Sequence, residues 1–151
     1  VKVDAGTLGG KGTIAGAVTI GTSSGPGAVL APSVGLSQLA SLARLTVQAA
    51  LTFKADGIYS YNLNTNNARA DQVIAHRVNI QSGAQFSFQS LGNTTLPIGS
   101  VFTAISNTSA NPIAGTFPNL PDYSTFTVGR NTYQASYEGG DGNDLTLTVV
   151  P

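Results

Sequence analysis

One spacing constrains the fold of this chain more than any other feature: an apolar residue, three residues, a second apolar residue, one residue, a third. It occurs as Ile14, Val18 and Ile20, returns as Val47, Leu51 and Phe53, and appears again as Ile74, Val78 and Ile80. A further apolar pair follows. Tyr59 and Tyr61 lie six and eight residues beyond Phe53, and Phe86 and Phe88 lie at the same offsets beyond Ile80. In the first copy the pair is read as Ala28 and Leu30, displaced by the insert "SSGPG". The second and third copies then align at a shift of 27 residues and the first two at 33. Period-two alternation within each segment gives strands with one buried face. A unit of this size cannot bury its apolar face alone, whereas stacked copies form a continuous core. The spacing therefore predicts an all-β parallel solenoid; the alternative is an antiparallel sandwich, which also yields short alternating strands.

On this reading residues 1–95 form the stacked part, with Ile14, Val18, Ile20, Val47, Leu51, Phe53, Tyr59, Tyr61, Ile74, Val78, Ile80, Phe86 and Phe88 as its core. An insert at about 33–43 breaks the pattern. Leu36, Leu39, Ala40 and Ala43 fall at helical spacing behind Ser33 as a cap, giving a short inserted helix or, alternatively, a Ser/Ala loop. Residues 96–151 differ in kind. They predict a C-terminal antiparallel cap with a hairpin over 124–138 and a last strand over 144–150, because an uncovered solenoid end exposes strand edges and core. At the other end Val1 and Val3 alternate like part of a further turn, which marks this edge for assembly.

Charge narrows the function classes. Seven Lys and Arg balance seven Asp and Glu, and charged residues make up only 9% of the chain. Without a basic stripe, neither nucleic acid nor direct membrane insertion is expected of this segment. There is no cysteine, so no disulfide framework and no thiolate metal site.

The richest local motif is "EGGDGNDLTLTVV". Gly139, Gly140, Gly142 and Asp144 match the start of the calcium nonapeptide of parallel β-rolls, with Asp141 and Asp144 as candidate ligands. Calcium needs 6–8 oxygens, usually completed by a second copy, and this motif occurs once. It is read as a glycine turn, and no cofactor is expected. His76, with Arg77, fills a corner where the other copies hold "AGA" and "QAA". It lacks a nucleophile or an orienting carboxylate; Asp71, the nearest acid in sequence, is expected to pair with Arg69. The remaining acids are scattered, so no catalytic residue and no enzyme is predicted. The Tyr and Phe pairs are read as an internal aromatic stack and not as a sugar platform. Sequons at Asn93 and Asn107 are read as Thr/Asn-rich loop.

Taken in order, "GGKGTIAGAVTI", "LTVQAALTF", "ADQVIAHRVNIQSGAQFSF" and "GTFPNLPDYSTFTVGRNTYQASYEGGDGNDLTLTVV" resemble the C-terminal end of bacterial autotransporter-associated β-strand repeat proteins. The resemblance spans nearly the whole chain and is strongest from Gly115 to Val150. It implies a right-handed parallel β-helix, secretion to the extracellular space or bacterial cell surface, a structural or adhesive role, and no catalytic residues. Related proteins continue into a Pro-Glu-Pro sorting signal, which places Pro151 where such a signal opens. The expected partner is an upstream solenoid or a second copy, the latter giving end-to-end filaments. A second function, sugar binding by the loops 62–70 and 107–120, and a third, a polysaccharide-active enzyme, follow in that order.

Overall fold

The computed structural model describes residues 1–34 and 42–151. All regular structure in them is β, in parallel and mixed sheets with no closed barrel. The chain visits three sheets in rotation. A first pass lays down β1 (Lys2–Val3), β2 (Gly6–Gly9) and β3 (Gly12–Ile14), and a second β4 (Val18–Ile20), β5 (Ala28–Ala31) and β6 (Arg44–Val47). A third gives β7 (Leu51–Phe53), β8 (Gly57–Asn64), β9 (Arg69–Ala70) and β10 (Gln72–Ala75), and a fourth β11 (Val78–Ile80), β12 (Gln85–Leu91) and β13 (Val101–Asn107). The first sheet runs β1-β4-β7-β11, the second β2-β5-β8-β12 and the third β3-β6-β10-β13, every neighbour pair parallel. These parallel pairings exclude the antiparallel sandwich for the repeated segments. β9 alone turns back, pairing antiparallel with the end of β8.

The third sheet then changes direction. β16 (Asp144–Val150) lies antiparallel on β13, β15 (Asn131–Gly139) on β16, and β14 (Thr125–Val128) on β15. Val128 faces Asn131 directly, so Gly129 and Arg130 form a two-residue hairpin turn with Gly129 at positive φ, 59°.

Stacking follows from register. Val18 and Val78 flank Leu51, and Ile20 and Ile80 flank Phe53, so like side chains lie one above another. All six are fully or almost fully buried. Phe86 lies on Tyr59 and Phe88 on Tyr61. Their rings belong to a continuous aromatic column that joins Phe53 and Phe117 to Phe126 and Tyr133, with centroids 5.0–6.0 Å apart. Edge-to-face and tilted pairs of this kind add stability beyond the area they bury. The Tyr59 hydroxyl donates to the Ala104 carbonyl at 2.8 Å, linking the second sheet to the third through the core.

Three expectations are corrected. Ile74 is not a core residue: it is half-buried on the outer face, and Val73 and Ala75 are buried instead. The third copy's corner holds two residues, His76 and Arg77, where the second holds Gln48, Ala49 and Ala50. Val47 therefore pairs with Ala75 and not with Ile74, and a slip of one residue exchanges the faces of a strand. In the first copy Leu30 pairs with Tyr59 and Ala28 with Gly57, two residues off the predicted match. Finally, Asp71 takes its hydrogen bonds from Ser33, Ala43 and Asn62 and not from Arg69. The helical reading of 33–43 falls largely outside the described residues; within them, Ser33 uses its hydroxyl on Asp71.

Candidate functional site

The two ends of the stack differ. At the C-terminal end each sheet's last parallel strand is covered. In the first sheet, Ala114 accepts from Ile80 N–H and donates to the Val78 carbonyl, forming a parallel bridge beside Asn79. Gly115 follows at φ 84°, where a Cβ would overlap the Ile80 carbonyl oxygen, so the close approach requires glycine. In the second sheet, the Asn119 side chain accepts from Phe86 N–H at 2.9 Å and donates to the Phe86 carbonyl at 2.7 Å. One amide thereby replaces the neighbouring strand at that residue. In the third sheet β16 supplies the partner.

The N-terminal end has no such cover among the described residues. β1, β2 and β3 are each the outermost strand of their sheet. Val1 and Val3 accept from Thr19 on β4 and from Gly21 just beyond it, so the Lys2 backbone between them points outward. By the same alternation Gly10 and Ile14, which both bond to the second pass at Pro32 and Gln48, leave Thr7 and Thr13 facing out. Val1 is 56% exposed, while Val3, Leu8 and Ile14 pack part-buried against the core. This is a three-sided parallel edge with apolar residues behind it.

Two carboxylates organise the departures from the repeat. Asp56 reaches back one pass and accepts from Thr22 N–H, Ser23 N–H and Gly25 N–H at 2.7–3.1 Å, which pins the "SSGPG" insert. Partial burial raises its carboxyl, but the hydrogen bonds from Ser23 and Thr22 outweigh that and hold it below the usual carboxylate range. Asp71 is fully buried and closes the base of the insert between β5 and β6, bonding Ser33 on one side and Ala43 N–H on the other. Burial raises its carboxyl in spite of these donors.

The Gly139–Asp144 motif is the tight connection between β15 and β16. Gly139 pairs with Asp144, and Gly142 N–H donates to the Gly139 carbonyl. Gly140 and Gly142 hold φ of 59° and 111°. Asp144 is buried and spends one oxygen on Asn107 N–H, while Asn143 donates to the Ser109 and Asn111 carbonyls. Burial, with Asp141 close by, raises the Asp144 carboxyl. No group of three or more His, Asp or Glu side chains comes together among the described residues. His76 is exposed, its Nδ1 3.2 Å from the Thr108 hydroxyl.

Sequence reasoning missed Asn119 and the tasks of Asp56 and Asp71. Asn119 sits between Pro118 and Pro121, where nothing marks an amide that covers a strand edge from one that is merely solvated. No helix of the described residues is long and apolar enough to cross a membrane. Family models, curated proteins and solved structures yield no match to the chain.

Proposed function

We propose that the chain is a non-enzymatic structural module of the extracellular space or bacterial cell surface: the terminal turns and cap of a right-handed parallel β-solenoid, whose N-terminal layer joins an upstream solenoid or a second copy. The observation that carries this reading is the unequal treatment of the two ends. Unpaired strand edges are an aggregation hazard that proteins normally block. Here three different devices (a chain bridge, an asparagine and an antiparallel strand) cover one end, while β1, β2 and β3 keep outward backbone groups at Lys2, Thr7 and Thr13. A continuing parallel layer satisfies all three edges in the register already set by the passes below. Rotation through three sheets, the long insert-tolerant corners and the sparsely charged Ser/Thr skin all fit a solenoid.

The test is sedimentation velocity of the isolated chain across a concentration series, beside a Thr7→Pro, Thr13→Pro double variant. Proline removes an outward N–H and is tolerated on edge strands. Association by the parent and its loss in the variant, with thermal stability retained, is the expected outcome. A parent chain that stays monomeric at high concentration would sink the reading.

A further inference from the structure

The chain has seven Lys and Arg, and three of them line a single groove. Lys11, Arg44 and Arg69 line a cavity of about 600 Å³ together with Gly12, Leu42, Ala43, Ala70 and Gln72. The described lining holds no acid. All three cations are exposed; Arg44 and Arg69 lie in β6 and β9, and Lys11 immediately precedes β3. Gly12 pairs with Leu45, so Lys11 stands one strand before Arg44, and Arg44 in turn pairs with Gln72. Lys11, Arg44 and Gln72 therefore form a column across successive strands, each about 4.8 Å from the next, with Arg69 beside it. Like charges on facing positions of adjacent strands repel. No carboxylate among the described lining residues offsets that repulsion: Asp71 lies behind Gln72, but its carboxylate is buried and turned to Ser33, Ala43 and Asn62. Gln72 accepts from Arg44 Nε at 3.0 Å, orienting the guanidinium while its bond uses only that nitrogen.

We infer that this groove binds a linear anionic polysaccharide, its carboxylate or sulfate groups seated on Lys11, Arg44 and Arg69 along the stacking direction. Gly12, Ala43 and Ala70 in the lining leave room beside the cations, and strand register sets Lys11 and Arg44 at the spacing of adjacent strands. A nucleic acid fits less well, because the lining offers no aromatic ring on which a base can stack. The inference rests on the groove alone and stands apart from the reading of the N-terminal edge.

Isothermal titration at low salt with polygalacturonate, dextran sulfate and neutral dextran tests it, and the two polyanions separate carboxylate from sulfate recognition. At least one polyanion is expected to bind, with affinity falling as salt rises, and neutral dextran is not. The Lys11→Gln, Arg44→Gln double variant should weaken binding roughly tenfold, as expected for two surface charge contacts. A Lys54→Gln, Arg77→Gln variant, with the same change in net charge away from the groove, should leave it within about twofold. Equal weakening in both variants, binding of neutral dextran, failure of both polyanions, or tighter binding of an oligodeoxythymidine would each overturn the assignment.

Discussion

Asn119 offers the sharpest test of how the C-terminal end is closed. Its amide oxygen accepts from Phe86 N–H and its amide nitrogen donates to the Phe86 carbonyl, at 2.9 and 2.7 Å. Asn119→Ala leaves both backbone groups of a residue only 5% exposed without partners. A fully buried orphan costs about 1–3 kcal/mol. Asn119 itself is exposed, so water reaches the vacated edge and the loss belongs near the lower bound, about 2 kcal/mol for the pair. For a chain of this length that lowers the melting midpoint by about 4–8 °C. Asn119→Asp separates hydrogen bonding from packing. At neutral pH the new carboxylate keeps an acceptor for Phe86 N–H but sets a charged oxygen against the Phe86 carbonyl. Once protonated it donates again. The folded state therefore holds that proton more tightly than the unfolded state, so stability is present at low pH and lost as pH rises. Urea melts at pH 7 and pH 4 should show Asn119→Asp recovering relative to Asn119→Ala on acidification. If both variants stay within about 0.5 kcal/mol of the parent at pH 7, the asparagine is not what covers the edge, and the account of that end fails.

Two further outcomes follow from the core. Tyr59→Phe should cost about 1 kcal/mol because it removes the bond to the Ala104 carbonyl, whereas Tyr61→Phe should be neutral or stabilising because the Tyr61 hydroxyl is buried without a partner; denaturant melts giving equal losses would contradict this. The buried Asp71 has a carboxyl raised in the folded state, so it binds its proton more tightly folded than unfolded, and its contribution to stability falls as pH climbs from the ordinary carboxylate range through the raised value. The stability of the parent minus that of Asp71→Asn should decline over that window and level off above it, and a difference that rises with pH would refute the burial argument.

The recurrence of apolar triplets was legible because a stack places like residues at like positions, and the second and third members of all three, Val18, Ile20, Leu51, Phe53, Val78 and Ile80, sit where the alternation puts them. Ile74 was not legible. Its identity is as apolar as that of Val73, and only the length of the corner at His76 and Arg77 decides which of the two faces inward. Corner length has no local signature, since two and three polar or small residues turn a chain equally well. Asp56 and Asp71 were counted as scattered acids because their partners lie 31–34 and 9–38 residues away, separations that carry no periodic signal. The cation ladder did leave a trace: Lys11 and Arg44 are separated by the same 33 residues as Ile20 and Phe53, so the repeat that aligned the core aligned them as well.

The closed end also limits how copies of the chain can join. A head-to-tail filament requires that the layer bearing β1, β2 and β3 stack on an equally open layer bearing β11, β12 and β13. Ala114, Asn119 and β16 already occupy those edges, and displacing them would expose Phe117, which is fully buried beneath the cap. Association through the N-terminal faces of both partners leaves the cap intact. Such an interface is isologous and closes at a pair, and β14, the other outermost strand of the third sheet, lies outside it. Sedimentation that stops at the dimer, in place of a distribution of longer species, is the result expected of association through the N-terminal faces.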